Sequence, residues 1–296
     1  MKTALLNSLS GVALLAVIPL MSSCGNGNAT QDSSIAFETY QTGQFYTLTG
    51  SAADYQRDTD LSFYDSVSIV MPTRLGDIDI TALKDSITDM AFEATNVQAI
   101  VPTINRWLTK TANEQGYKAR LTSGNPETAS GFCYLNGYVV YLSGDMLVYC
   151  VKTDVYNPGA AHGMYDKRYI NFYMPDNNTG QVVTLSDIFT PQGLKKLPEL
   201  IAEQTSNMSD MIGPTEVDGL PDNNNFFISS EGKIVMAYQP YEIASYAQGI
   251  INVPFEPYEL VELMTPLGIK IFNLEDFYVT DDVTSEPTPD NFTSRQ

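Results

Sequence analysis

The stretch Phe132-Cys133-Tyr134-Leu135-Asn136-Gly137-Tyr138-Val139-Val140-Tyr141-Leu142-Ser143-Gly144-Asp145-Met146-Leu147-Val148-Tyr149-Cys150-Val151, continuing to Tyr156, decides the fold class. Tyr, Val and Leu dominate it, and Asn136-Gly137 and Ser143-Gly144-Asp145 interrupt it. Runs of strand-forming residues broken at short intervals by turn dipeptides are the pattern of an antiparallel meander. Upstream, Ser66-Val67-Ser68-Ile69-Val70 alternates polar and apolar before Met71-Pro72 and reads as a strand ended by proline. Between the two, the spacing predicts helices. Leu83, Ile87, Met90 and Ala91 share one face of 79–93, and Val101, Ile104, Leu108 and Ala112 share another face, with Pro102 in the first turn and Gly116 past the end.

Downstream, 169–174 and 181–185 read as strands joined by a turn through Pro175-Asp176-Asn177-Asn178-Thr179-Gly180. A helix capped by Thr190 follows, with Pro191 in its first turn and Leu194, Leu197, Leu200 and Ile201 along one side; Pro198 is expected to bend or restart it. Further strands are predicted at 226–228, 234–238 and 249–253, and a short helix at 257–264. The chain is therefore expected to be α+β, with antiparallel sheets packed against a few helices. Gly124-Asn125-Pro126-Glu127 reads as a boundary between an N-terminal α+β module, 37–125, and a C-terminal α+β domain, 126–278; 279–296 is rich in Asp, Thr, Pro and Ser and reads as a disordered tail.

The first residues predict export. Lys2 precedes an apolar stretch, 12–21, too short to cross a bilayer and suited to a signal-peptide core. Leu20-Met21-Ser22-Ser23-Cys24 resembles a bacterial lipobox, so 1–23 is expected to be a lipoprotein signal peptide, Cys24 the lipidated residue and 24–36 a flexible tether. No other apolar run approaches a transmembrane length, which leaves lipid as the expected anchor. Similar to lipoproteins of Bacteroidota, the chain lacks the acidic residues just after Cys24 that would favour surface display, so a periplasmic face is expected.

With 16 Lys and Arg against 35 Asp and Glu, the formal charge of −19 repels phosphate backbones and argues against nucleic acid. A basic partner or a cation would be attracted instead. If both glycine-containing interruptions are hairpin turns, Cys133 and Cys150 sit on strands separated by a third. The register then favours two buried thiols over a disulfide.

Little in the sequence supplies a reacting centre. His162 is the single histidine and neither cysteine stands at ligand spacing from it, so no metal is expected. No Gly-x-Ser-x-Gly elbow, Walker loop or Rossmann loop is present, so no cofactor is expected. The Asp-Asn clusters at 176–178 and 222–225 lack EF-hand spacing and read as turns. Two stretches stand out. One is the small-residue loop Tyr156-Asn157-Pro158-Gly159-Ala160-Ala161-His162-Gly163, where backbone can approach another molecule closely. The other runs from Tyr238 through Tyr241, Glu242, Tyr246 and Gln248 to Gly249, with amphipathic rings suited either to recognition or to roofing a sheet.

These two stretches, Gly159-Ala160-Ala161-His162-Gly163 and Tyr241-Glu242-Ile243-Ala244-Ser245-Tyr246-Ala247-Gln248-Gly249, join Thr184-Leu185-Ser186-Asp187-Ile188-Phe189 in a pattern that resembles one family. It is the family of the extracellular domain of anti-sigma factor V and of the non-catalytic region of peptidoglycan deacetylase C. The resemblance spans about 132–263, with Ala160 where the family prefers a second glycine, and residues 66–117 resemble more weakly the companion module that precedes it. It implies an α+β module and, by analogy with anti-sigma factor V, lysozyme binding. The expectation is a lipid-anchored, non-enzymatic envelope protein whose binding residues are Tyr156, Gly159, His162, Gly163, Tyr241, Glu242, Tyr246, Gln248 and Gly249. Its expected partner is a basic protein such as lysozyme, or cell-wall glycan. The competing expectations are a cell-wall hydrolase or deacetylase using Glu242 or Asp187 with His162, and a passive structural lipoprotein.

Overall fold

The computed structural model describes residues 7–10, 35–47, 62–123, 125, 130–176 and 178–277. Cys24, the tail from 279, and the signal peptide and tether outside those spans lie beyond the described residues. Seven strands form one sheet in sequence order: β1 (Asn7–Ser10), β2 (Ile35–Thr47), β3 (Ser62–Leu75), β4 (Gly131–Leu142), β5 (Met146–Tyr156), β6 (Met164–Tyr173) and β7 (Gln181–Val183). β1 lies inside the span read as signal peptide and pairs with residues 44–47 of β2, while β2 itself begins two residues inside the span read as tether.

Every neighbouring pair is antiparallel except β3 and β4, which run parallel with Phe63–Ile69 opposite Gly131–Gly137. A parallel pair needs a long crossover. Here α1 (Thr81–Phe92), α2 (Ile100–Glu114) and α3 (Tyr117–Ser123) supply it. The sheet thus continues across the boundary read at 125, and the two halves share one ladder.

Each side of the sheet has its own core. Leu147, Tyr149 and Val151 of β5 and Ile170 and Phe172 of β6 meet Leu83, Ile87 and Ala91 of α1 and Ile104 and Leu108 of α2. The helix stripes therefore pack as their spacing predicts, apart from Val101, which is exposed. The alternate residues Met146, Val148 and Tyr173 face the other way, onto a three-stranded antiparallel sheet of β8 (Phe226–Ile228), β9 (Ile234–Tyr238) and β10 (Ile251–Phe255). That core is closed by α4 (Leu185–Ile188), α5 (Pro191–Asn207) and α7 (Pro266–Ile271), while α6 (Ser209–Ile212) extends α5.

Two asparagines join the layers where backbone pairing stops. Asn171 on β6 donates from Nδ2 to the carbonyl of Phe226 (3.1 Å) and accepts from the N–H of Ile228 (2.8 Å). Asn225 accepts from Tyr169 N–H (3.1 Å) and donates to the carbonyls of Lys167 and Ala237. Both are buried, so each amide satisfies backbone groups that would otherwise lose water without replacement.

Several local expectations are corrected. Asn136-Gly137 is no turn: β4 runs through it, and Gly137 is required because a Cβ there would overlap the Tyr149 hydroxyl and the Ile69 side chain. The turn at Ser143-Gly144-Asp145 does form, closed by Ser143 N–H on the Met146 carbonyl (2.8 Å). Pro72 does not end β3; it lies beside a register shift opposite Ala36 and Phe37 and beyond the β4 ladder, so its missing N–H interrupts little. Pro198 does not restart α5, which runs as one helix through it with its interior residues Leu197 and Ile201 fully buried. The short helix expected at 257–264 is present at 257–263, wound as a 3-10 helix.

Cys133 and Cys150 are both free and buried, as the sequence reading favours, but for a different reason. β4 and β5 are direct neighbours, with Cys133 opposite Val155 and Cys150 opposite Tyr138. The two thiols are therefore five residues out of register on opposite faces, roughly 17 Å apart along the strand, beyond disulfide reach.

Candidate functional site

The hairpin between β5 and β6 carries residues 157–163, and the link between β9 and β10 carries 239–250. The two loops meet. His162 stacks on Tyr246 with ring centroids 3.6 Å apart and 17° between planes, and its Nε2 lies 3.0 Å from the Tyr241 hydroxyl. Its Nδ1 lies 2.9 Å from the Gly163 carbonyl, which can only accept, so Nδ1 carries the proton. On the neutral ring Nε2 then accepts from Tyr241 O–H. Tyr241 and Tyr246 stand 5.6 Å apart, and Tyr165 of β6 meets Tyr246 edge-on at 6.0 Å.

Tyr241 is held in an unusual state: its φ is +72°, and it is 58% exposed. A bulky residue in the left-handed region costs about 1–3 kcal/mol and persists only where its surroundings enforce it. The enforcing group is Glu242. Its carboxylate accepts from the N–H of Gln239 (2.6 Å), which closes the turn on itself, and from the N–H of Asp222, which ties the turn to the segment before β8. Burial pushes the Glu242 carboxyl above its ordinary range, and those two N–H bonds oppose the rise. Gln239 is itself locked, accepting from Lys167 N–H (2.9 Å) and donating to the Lys167 carbonyl (2.7 Å), so the turn is fastened to the open edge of β6.

The other residues singled out in the sequence support or border this patch. Gln248 closes a capping box with Ser245 and donates to the carbonyls of Ile212 and Pro214, tying the loop to the end of α6. Gly249 sits under Tyr165, whose hydroxyl would be 2.9 Å from a Cβ placed there. Gly159, with φ +82°, makes the hairpin bend, and Gly163 lies against the Val155 carbonyl. Tyr156 is not among the rings that His162 meets. It stacks on Phe132, which continues through Tyr134 and Tyr64 to Phe45 as a row of rings crossing four strands. Asp187 caps α4 by accepting from Thr184 N–H (2.8 Å), so its carboxylate serves local structure.

Three features escaped the sequence reading. Tyr165 completes the ring cluster, and its position three residues past His162 on an alternating strand was the available signal. Gln239 was masked by its neighbours' aromatic rings. The third is a cleft of about 490 Å³ between the helices and the β4–β6 face, lined by Trp107, Met90, Val151, Met164, Tyr165 and Pro240 among others. Among the described residues, no group of three or more His, Cys, Asp or Glu side chains is placed to hold a metal ion.

Fold and site together define an α+β protein that presents a patch of aromatic rings on a braced pair of loops. Residues 186–259 match the model of a family described as "Protein of unknown function (DUF3298)". A solved structure of a DUF3298 family member from Bacteroides fragilis NCTC 9343 is similar with a TM-score of 0.62 at 17% identity, covering 82% of this chain and 98% of that one; this likeness shows the fold. Another DUF3298 family protein, from Pseudomonas aeruginosa PAO1, gives a TM-score of 0.49 at 14% identity over 80% of this chain and 97% of that one. No curated protein matches the chain.

Proposed function

We propose that the protein is a non-enzymatic binding protein of the cell envelope, anchored through a lipidated Cys24 on the periplasmic side, whose His162–Tyr241–Tyr246 patch docks a basic protein. The observation that carries this reading is the strained, exposed Tyr241, held against His162 by a turn whose carboxylate is spent on backbone N–H groups. Strain maintained at a surface ring is a cost without structural return unless that ring meets something. Tyrosine and histidine rings displayed on rigid loops suit recognition, since they offer area and hydrogen bonds at small loss of side-chain freedom. Both carboxylate oxygens of Glu242 are engaged as loop brace and Oδ2 of Asp187 as helix cap, which favours docking over acid–base catalysis.

The charge of −19 favours a basic partner and a fast approach to it. A c-type lysozyme is the probe suggested by the likeness to the sensor domain of anti-sigma factor V. Calorimetric titration of lysozyme into the soluble chain is expected to show binding that weakens at high salt and falls about tenfold or more in Tyr241→Ala, the scale of an interface aromatic anchor. Absence of binding at micromolar protein removes lysozyme as partner, and equal binding by Tyr241→Ala removes the patch. Metabolic labelling with a palmitate analogue, lost in Cys24→Ala, tests the anchor.

A further inference from the structure

The cleft beside the patch has a composition of its own. Its floor is apolar, formed by Ala91 of α1, Leu135 of β4 and Val151 of β5, each nearly or fully buried. Its rim carries Asp89, Glu93 and Asp166 against a single cation, Arg168. Arg168 is held by Asp166 (Nε to Oδ2, 3.0 Å), and Glu93 is paired with Lys110. Asp89 makes no ion pair among the described residues, so the rim keeps negative charge uncompensated within itself. Trp107, the only tryptophan of the chain, forms one wall beside Phe92 (6.4 Å, edge-on). Tyr165 and Pro240 form the opposite lip, and both adjoin the ring patch: Tyr165 touches Tyr246, and Pro240 precedes Tyr241. Cleft and patch therefore share a border at Tyr165 and the Pro240–Tyr241 link.

We propose that this cleft receives a lysine or arginine side chain of the docked protein, with the aliphatic stem on the Leu135–Val151 floor beside Trp107 and the cation at Asp89 and Asp166. Long basic side chains pair an apolar stem with a charged head, and an apolar trough with a carboxylate rim is complementary to both parts. A tryptophan face adds attraction for the cation. The proposal rests on the reading of the patch as a docking surface, and it adds what the docked partner must present: a protruding basic residue.

The test uses the full chain and a short probe, acetyl-Leu-Lys-Leu-Lys-amide, with acetyl-Leu-Glu-Leu-Glu-amide as its control. Because Trp107 is the only tryptophan, its emission reports the cleft alone. The basic peptide is expected to give a saturable change in Trp107 emission and the acidic one none. Binding should weaken about tenfold in Asp89→Asn/Asp166→Asn, the scale of one lost charge-assisted hydrogen bond. Raising the salt concentration on the native chain should reproduce that loss without any substitution. No saturable response at millimolar peptide, an equal response to the acidic peptide, or unchanged binding in the double variant overturns the proposal. Lysozyme binding that depends on Tyr241 while the cleft stays silent would overturn the cleft and leave the patch standing; a responsive cleft without lysozyme binding would do the reverse for that partner.

Discussion

Asp65 gives the sharpest test of the energetics. It lies on the helix-facing side of β3 with no exposed surface, its Oδ1 accepting from the Tyr117 hydroxyl (2.7 Å) and its Oδ2 without a hydrogen bond. Burial pushes its carboxyl from an ordinary 3.8 up to about 7, against the opposing pull of the Tyr117 hydrogen bond. The groups packed around it are Tyr117 of α3, Tyr46 of β2 and Cys133 of β4, and burial raises all three, so none of them titrates in that interval. The unfolded chain releases the Asp65 proton near pH 4, whereas the folded chain holds it to about pH 7. Across that window the folded state binds more protons, so stability falls as pH rises, by about 4 kcal/mol in total, and the dependence is flat above it. Asp65→Asn removes the charge but leaves an amide N–H unmatched, at a cost of about 1–3 kcal/mol at every pH. At pH 4.5 the native chain has already lost about 1 kcal/mol of that total, so the variant should be less stable by up to about 2 kcal/mol there and more stable by about 1–3 kcal/mol at pH 8. Urea unfolding followed by circular dichroism at the two pH values measures both differences. A stability difference of the same sign and size at both would refute the buried-charge argument.

Gly137→Ala should destabilise the fold by about 1–3 kcal/mol in thermal unfolding, because the added methyl must displace the Tyr149 hydroxyl and Ile69; a neutral outcome would mean that β4 shifts freely. Cys133 and Cys150 should resist a thiol reagent in the folded chain and both react in denaturant without prior reduction, with labelled peptides read by mass spectrometry. Glu242→Gln should cost about 1–3 kcal/mol in stability through the weakened brace on Gln239 and Asp222. It should also blunt lysozyme binding, by letting Tyr241 relax from its left-handed conformation.

The sequence reading recovers what local periodicity encodes. The α1 and α2 stripes, the Thr190 cap with Pro191 behind it, and strands β8 and β9 all stand where spacing puts them. It fails where a residue's role depends on a distant neighbour. Gly137 carries the signature of a turn, yet its small size serves Tyr149, which reaches it from the next strand. The parallel pairing of β3 with β4 has no local signature, since it arises only when three helices carry the chain back across the sheet. At the site, His162 and Tyr241 were visible as residues, but their meeting across 79 positions was not, nor was the cleft, whose walls come from two helices, three strands and the β9–β10 link. Glu242 shows the limit most clearly, because an acid beside tyrosines reads equally as a reagent or a brace until its hydrogen-bond donors are known.

The division of the second core between upstream and downstream strands has a practical meaning for the span 186–259. That span contains α5 and β8 to β10, yet the apolar faces of these elements close on Met146, Val148, Tyr173 and Val183, all contributed by the larger sheet. Expressed alone, it would expose the underside of a three-stranded sheet and would be prone to self-association. The unit recognised by sequence kinship is therefore smaller than the unit that melts, and excising the kinship unit would remove half of a shared interior.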